Sequence, residues 1–443
     1  MGQFLLFQIL LESWQKVNNI VLRGEITIPP DKSISHRSII FGSLTKSKIK
    51  IKNLSVCEDV LSTLNIFKQL GLKYEFTSKR EVIINSIDLF KTKEKEFTFN
   101  CGNSGTTTRL ISGLLSWQNF KSILVGDDSL SKRPMKRIID PLKLMGADIS
   151  SNNFRLPLEI NGKNLNATEY FSPIPSAQIK SCLLLAGLGI EDTTTIYEKT
   201  LSRNHSELML EYLGAKISYG NDKKGFYTQI QKTNLTPKDI EVVGDISSAA
   251  FFMVAAAIIP NSSIIIKNVG INPTRTGILD IFKQSEIDFE LLNEKTICKE
   301  KTADIKVNYT ENIKPFEIKG ELVPRLIDEI PILALLATQA NGKSTIKDAK
   351  DLRNKESDRI KTIVEAFRKM NILIEEFEDG FSIVGKKEFN KEVVFETYLD
   401  HRLAMTYFVL SLLNKKETKI NGLDCINTSF PEFMNLMNKL ISE

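Results

Sequence analysis

The sequence predicts a mixed α/β (α+β) protein of two domains, and three observations carry that prediction. A chain of 443 residues is longer than one ordinary hydrophobic core supports, which makes two domains the natural division. Six segments repeat one pattern: an amphipathic helix with apolar residues three and four apart, a small or polar breaker, then a short alternating strand. Residues 64–74, 139–149 and 208–217 show it plainly, with Gly71, Gly146 and Gly214 as breakers; 279–288, 364–373 and 433–441 show it in degenerate form. Spaced about 70 to 85 residues apart, further than solenoid repeats, each should be a small α/β subdomain, three to a domain. Helix–Gly–strand punctuation common to any α/β protein is the alternative, since glycine ordinarily caps helix C-termini. The third observation is a pair of domain crossings, at Ile28-Pro29-Pro30 and Val243-Gly244-Asp245. On this reading residues 1–20 are an N-terminal extension of unknown role and 32–244 form an N-terminal domain. Residues 21–31 with 245–443 form a C-terminal domain, and a cleft between the two is the expected home of a small-molecule site.

Composition narrows the function. The chain is 42% hydrophobic and 26% charged, with a net charge of +5 from 59 basic and 54 acidic side chains. That balance leans weakly toward anionic ligands. Nucleic-acid binding would need basic blocks with interleaved aromatics, whereas the lysines here are scattered among glutamates. The five cysteines are odd in number, far apart and without a CxxC pair, which suits a reducing cytoplasm. Three histidines, His36, His205 and His401, are too few and too separated for metal-ligand spacing, so no metal is expected and any cofactor would be non-metallic or absent. The apolar N-terminal stretch 4–11 lacks a basic flank and a cleavage site and reads as an extra amphipathic segment. The run 249–259 is shorter than the roughly 20 residues that cross a bilayer and reads as a buried helix.

The chemistry-bearing segments sit at helix starts. Asp31-Lys32-Ser33-Ile34-Ser35-His36-Arg37 follows two prolines and opens a helix, placing Lys32 and Arg37 where the macrodipole favours anions. A bound external anion, held by free backbone N–H groups and the two cations, resolves that mismatch; a solvated basic turn is the alternative. Gly102-Asn103-Ser104-Gly105-Thr106-Thr107-Thr108-Arg109 lets backbone amides approach a ligand closely, yet it has no Walker A spacing, and a Gly-rich turn with threonine caps explains it equally. Arg133 precedes a proline at a helix entry and is either an anion clamp or a surface partner of Asp127 or Asp128. Ser176-Ala177-Gln178 and Arg203-Asn204 begin two further helices, with Asn204 and Glu207 in capping-box-like spacing, though ordinary capping needs no ligand. In the C-terminal half Asp328-Glu329 precedes an apolar helix, which suits both its N-terminus and a general base. Lys355 and Arg359 read as i, i+4 neighbours on one helix face beside Glu356, with a surface charge network as the alternative. Asp400-His401-Arg402 makes one more cationic entry.

From about Gly24 onward the order and wording of these segments resemble the 3-phosphoshikimate 1-carboxyvinyltransferase (EPSP synthase) family of enolpyruvyl transferases. The likeness rests on DKSISHR, GNSGT with Arg109, SLSKRPM, SAQIK, SRNH, DISSAAFF, LIDEIP, RNKESDR, DHRLAM and SFPEF, in one order. It implies a two-domain inverse α/β barrel, each domain three βαβαββ units around a pseudo-threefold axis. It implies transfer of the enolpyruvyl group of phosphoenolpyruvate to the 5-hydroxyl of shikimate-3-phosphate, in a cytoplasmic, monomeric enzyme with no nucleic-acid or membrane partner. Carried over residue by residue, Lys32, Ser33, Arg37, Ser176, Ala177, Gln178, Arg203, Asp328 and Lys355 hold shikimate-3-phosphate. Lys32, Gly105, Arg133, Gln178, Arg359 and Arg402 hold phosphoenolpyruvate. Asp328 is implied as the base, and Glu356 with Lys32 as the acid.

The chain departs from the family pattern in places. Thr428-Ser429-Phe430 lacks a lysine that some members carry, and Asp351 stands where those members have asparagine. The Ser176-Ala177-Gln178 and Arg203-Asn204-His205 wording is similar to a subgroup often insensitive to glyphosate, while Gly105 is not the alanine of its best-known members. Two other functions remain open: a UDP-N-acetylglucosamine enolpyruvyl transferase, which uses a loop cysteine and Lys-Asn where this chain has Lys32-Ser33, and a catalytically inactive anion-binding homologue, which should have lost Asp328 or Glu356.

Overall fold

A computed structural model describes residues 20–87, 94–385 and 388–442. The N-terminal extension therefore lies, but for Ile20, outside the described residues. Two compact units emerge. An inserted unit comprises Pro30–Val243 with Thr296–Glu300; a split unit takes the chain up to Pro29, Gly244–Lys295 and the chain from Lys301 onward.

The inserted unit contains three four-stranded sheets of one design. In the clearest, Glu96–Asn100 runs parallel to Lys121–Val125, which pairs antiparallel with Arg155–Asn161, itself paired with Asp148–Asn152. The helix Gly105–Leu115 joins the parallel pair and Lys136–Leu144 leads into the hairpin, which makes one βαβαββ subdomain. The second repeats the order with Glu169–Ser172, Thr194–Glu198, Gly225–Ile230 and Ile217–Asp222 around the helices Ala177–Gly187 and His205–Tyr212. The third has Ile49–Lys52, Glu81–Ile84 and Tyr74–Ser78, but its parallel partner is Ile240–Glu241, almost two hundred residues later in the chain. The helices Lys32–Ser43 and Glu58–Gln69 belong to that subdomain.

The split unit uses the same parts less regularly. Glu317–Ile318, Lys343–Ile346, Gly380–Val384 and Ile374–Phe377 form one complete sheet around the helices Ile330–Gln339 and Arg359–Lys369. Val21–Thr27 lies parallel to Ser263–Gly270 in a five-stranded sheet completed by the hairpin Phe289–Ile297 and Glu300–Asn308. Val393–Glu396 and Thr418–Asn421 are a parallel pair around the helix His401–Ser411, with no hairpin of their own among the described residues. After the helix Phe433–Leu440, where a hairpin would begin, Ile441–Ser442 pairs with Val21 and Leu22 instead. Among the described residues six copies of the repeat, one lacking its hairpin, make the inverse α/β barrel fold.

The breakers explain why each helix stops. Gly71, Gly146 and Gly214 all have positive φ, and the following N–H reaches back to the carbonyl five residues earlier: Leu72 to Phe67, Ala147 to Leu142, Ala215 to Leu210. That is a Schellman cap. In two degenerate copies Glu286 (φ 55°) and Asn371 (φ 58°) take the same conformation and the same bonds form, Ile287 to Phe282 and Ile372 to Phe367. A glutamate there costs about 1 kcal/mol relative to glycine. Glu286→Gly is expected to raise the urea midpoint at unchanged m-value, and a lowered midpoint would show that the exposed Glu286–Lys314 pair outweighs the backbone strain.

Each unit has its own core. The helix Ile246–Ile258, read from sequence as a buried apolar run, is buried at every residue but Ser248. The ring of Phe433 lies 5.3–6.2 Å from those of Phe251, Phe252, Phe408 and Phe430, closing the split unit's core around the last helix. In the inserted unit a Cβ on Gly113 would sit 1.9 Å from the Cys182 carbonyl oxygen. Only glycine lets the helix Gly105–Leu115 lie that close to Ala177–Gly187, and this approach brings their first turns together. Among the described residues no helix is long and apolar enough to cross a membrane.

Candidate active site

In the inserted unit the candidate residues stand at four helix starts. Asp31 caps Lys32–Ser43 by accepting from the Ile34 N–H at 2.8 Å. The first turn carries no acid of its own, and Lys32 finds one on the next helix, its Nζ 2.9 Å from Asp59 Oδ2. Ser33 lies beside it with a partly exposed side chain. Arg37 is buried on the same helix: Nε donates to Ser206 Oγ at 2.7 Å, Nη2 to Ser181 Oγ at 2.6 Å and Nη1 to the Ser33 carbonyl at 2.9 Å. Burial pulls its pKa down to about 10, with Glu207 opposing.

The second start is Ser104, which caps Gly105–Leu115. Arg109 Nη1 donates to Gln178 Oε1 at 2.9 Å, and Gln178 Nε2 donates to Thr106 Oγ1 at 3.2 Å. Arg133 Nη2 donates to Asn103 Oδ1 at 2.7 Å, and Asn103 Nδ2 in turn to Asp127 Oδ2 at 2.7 Å. Gly105, Arg109, Arg133 and Gln178 thus share one place. A Cβ on Gly105 would lie 2.9 Å from Arg109 Nη1 and 3.6 Å from Arg133 Nη1. Both are ends of flexible side chains, so Gly105→Ala is expected to fold normally while displacing the guanidiniums, with KM for an anionic substrate bound there up about tenfold and kcat little changed. An unchanged KM would place the ligand away from Gly105. The third start is Ser176, cap of Ala177–Gly187, and the fourth is His205–Tyr212, preceded by Arg203.

His36 lies one turn along the helix from Lys32. Its Nδ1 shares a 2.7 Å hydrogen bond with Thr63 Oγ1, which meets Thr107 Oγ1 at 2.7 Å. Burial above all holds its pKa down to about 3; Lys32 and Arg37 push the same way, while Asp59 and Asp31 oppose. The folded protein keeps the ring neutral, whereas the unfolded chain takes up a proton near pH 6.5. This contribution to stability is complete above pH 6.5 and declines as pH falls toward 3, by up to about 1.4 kcal/mol per unit. His36→Gln is expected to flatten that decline in urea titrations between about pH 6 and 4. An unchanged slope would exclude a buried neutral imidazole.

In the split unit Asp328, Lys355, Glu356, Arg359 and Arg402 come together. Asp328 Oδ1 is 3.8 Å from both Lys355 Nζ and Arg359 Nη1, and the Asp328 carbonyl accepts from Arg402 Nη1 at 3.1 Å. Arg359 is buried; it donates through Nε to Asp400 Oδ2 at 2.8 Å and through Nη2 to Glu356 Oε2 at 2.6 Å. Burial by itself would lower the guanidinium pKa, and Asp400, then Glu356, more than offset it. Asp400 also caps His401–Ser411 through the Arg402 N–H, which fixes Arg402 at the helix start. Lys355 reaches Asp351 Oδ2 at 3.5 Å as well.

Three sequence expectations need correction. Lys355 and Arg359 do not share a helix face: Asp358 caps Arg359–Lys369, so the helix begins only there, and Lys355 ends a short 3₁₀ turn. Asn204 makes no side-chain cap, and Glu207 is drawn instead to Lys180 Nζ at 2.7 Å. Arg133 does not enter a helix; it ends the short helix Asp128–Lys132. Sequence reasoning also overlooked Asp59, Asp400 and Asn103 as partners of the cations, because nothing in the local pattern of any of the three indicates a cation brought to it by folding.

Two units of repeated βαβαββ, with cations and carboxylates gathered near helix starts, suit a protein that binds small anions. The NikO enolpyruvyl transferase from Streptomyces tendae shares this fold, with a TM-score of 0.77 over 96% of each chain at 14% identity. The family model for EPSP synthase (3-phosphoshikimate 1-carboxyvinyltransferase) matches residues 17–437. A 3-phosphoshikimate 1-carboxyvinyltransferase from Petrotoga mobilis is 46% identical over 95% of this chain and 98% of its own length. The EPSP synthase structure from Acinetobacter baumannii superposes with a TM-score of 0.84 at 37% identity, covering 96% of this chain and 98% of that one. The chain belongs to the EPSP synthase family. It transfers the enolpyruvyl group of phosphoenolpyruvate to shikimate-3-phosphate in aromatic amino-acid biosynthesis.

Proposed function

We propose that the transfer proceeds by addition and elimination, with Asp328 as base and Glu356 and Lys32 as the acid pair. Asp328 takes the proton of the 5-hydroxyl as its oxygen bonds to C2 of phosphoenolpyruvate, and the methylene carbon gains a proton. The tetrahedral intermediate then loses a proton from that methyl group and expels phosphate, restoring the double bond. The observation that carries this reading is the position of Asp328 between Lys355 and Arg359, two cations that favour its ionised, proton-accepting form.

Glu356 has the opposite requirement, and its 2.6 Å bond to Arg359 favours a carboxylate. On this reading the carboxylate of phosphoenolpyruvate takes over Arg359, and Glu356, losing its cation, becomes able to carry a proton. Arg402, Arg133, Gly105, Gln178 and Lys32 complete the phosphoenolpyruvate set. Shikimate-3-phosphate is assigned to Lys32, Ser33, Arg37, Ser176, Ala177, Gln178, Arg203, Asp328 and Lys355. Two multiply charged anions must be neutralised together, and guanidiniums, an ammonium and helix N-termini are the groups suited to it. A monomer in the cytoplasm belongs to the same proposal, the five free cysteines bearing on the compartment alone. Phosphate release from phosphoenolpyruvate that depends on shikimate-3-phosphate tests it; turnover with UDP-N-acetylglucosamine instead would overturn it.

A further inference from the structure

Four charges are buried together in the inserted unit beneath the turn Ser176-Ala177-Gln178. Lys180 Nζ lies 2.7 Å from Glu198 Oε2, 2.7 Å from Glu207 Oε1 and 3.4 Å from the Ser202 carbonyl, so its three N–H groups have three acceptors. Lys180, Glu198 and Glu207 are at most 3% exposed. Arg37, also 3% exposed, is the fourth charge and feels Glu207 as its strongest attractive neighbour. Two cations and two carboxylates leave the group neutral.

Each member reaches a segment that carries a proposed ligand residue. Glu198 Oε1 accepts from the Ser176 N–H at 3.2 Å, and its Oε2 from the Ser202 N–H at 3.4 Å, one residue before Arg203. Ser181 and Ser206, neighbours in sequence of Lys180 and Glu207, share a 2.6 Å hydrogen bond and both accept from Arg37; Ser181 donates to the Ala177 carbonyl at 2.5 Å. One strand and three helices are tied through this cluster. Such a group is a poor device for stability alone, because apolar side chains of similar volume serve as well without the desolvation cost. What it supplies is fixed direction: every hydrogen bond is oriented, and an ammonium between two carboxylates has one favoured location.

We propose that Lys180 is a positioning residue for shikimate-3-phosphate, acting through Glu198 and Glu207 to hold Ser176–Gln178, Arg203 and Arg37 in a binding arrangement. This rests on the assignment of those residues to shikimate-3-phosphate above. Phosphoenolpyruvate shares Gln178 with this arrangement but draws mainly on Gly105, Arg133 and the split unit's arginines, so the larger effect should fall on shikimate-3-phosphate.

The test is steady-state kinetics with calorimetric titration of shikimate-3-phosphate. Lys180→Met alone leaves a buried uncompensated carboxylate and risks unfolding, so the decisive variant is Lys180→Met with Glu198→Gln, which keeps the cluster neutral. It is expected to melt cooperatively and to bind shikimate-3-phosphate at least tenfold more weakly. KM for phosphoenolpyruvate at saturating shikimate-3-phosphate should stay within about twofold of the parent. Arg203→Ala, measured alongside, separates the two layers of the argument. If Arg203→Ala weakens shikimate-3-phosphate binding and the charge-neutral double variant does not, the positioning role is wrong and the ligand assignment stands. If neither variant weakens binding, the ligand assignment itself is wrong. Equal losses for both substrates in the double variant would reduce the cluster to a general structural part and overturn the proposal.

Discussion

Asp328→Asn is expected to bind both substrates and to turn over 10²- to 10⁴-fold more slowly, the usual range for loss of a general base. The substitution preserves the backbone, so the Arg402 bond to the Asp328 carbonyl survives and Arg402 keeps its place. What disappears is the charge that faces Lys355 and Arg359, each 3.8 Å away. With one carboxylate fewer beside them, the two cations should hold substrate anions at least as tightly, so the loss should appear in kcat with dissociation constants unchanged or lower. Near-normal kcat in the purified variant would remove Asp328 from the role of base.

The second large effect is structural as well as catalytic. Arg359→Met would leave Asp400, wholly buried, without the guanidinium that meets both of its oxygens, at 2.8 and 3.2 Å. Breaking a buried pair from one side typically costs 3–5 kcal/mol, and a loss of about that size is expected in urea unfolding. Asp400 also caps the helix carrying Arg402, so KM for phosphoenolpyruvate should rise through two residues at once. Arg359→Lys restores a charge without the planar fork and should recover part of the stability while leaving that KM high. A loss under about 1 kcal/mol in Arg359→Met would mean that Asp400 is content without its partner.

Much of the site was legible in the sequence because helix starts announce themselves. Asp31, Ser104, Ser176 and Asp400 all cap helices, and the basic residues near them stand out against the dipole. The partners were not legible. Asp59 is 27 positions from Lys32, and Asp400 is 41 from Arg359, distances over which no local period connects two side chains. Helix periodicity even misled at Lys355, since the cap at Asp358 delays the helix until Arg359. Among the repeat breakers, glycine marked three of the left-handed positions; Glu286 and Asn371 occupy the same conformation with residues that ordinarily avoid or only tolerate it, so their copies look degenerate while their backbone is not.

The placement of Val21–Thr27 has a consequence for how the protein is made. Its parallel neighbour is Ser263–Gly270, and the Leu22 N–H donates to Ser262 Oγ 240 positions further on. At roughly 5–20 residues per second, a ribosome needs on the order of tens of seconds to deliver that partner. Through that interval the inserted unit can complete its first sheets, while the strand that precedes it, with Leu22 and Ile26 as its buried residues, waits with both edges open. The nascent chain is thus most exposed to wrong pairing early in its synthesis, and a chaperone that shields short extended segments would matter more to its yield than to its final stability.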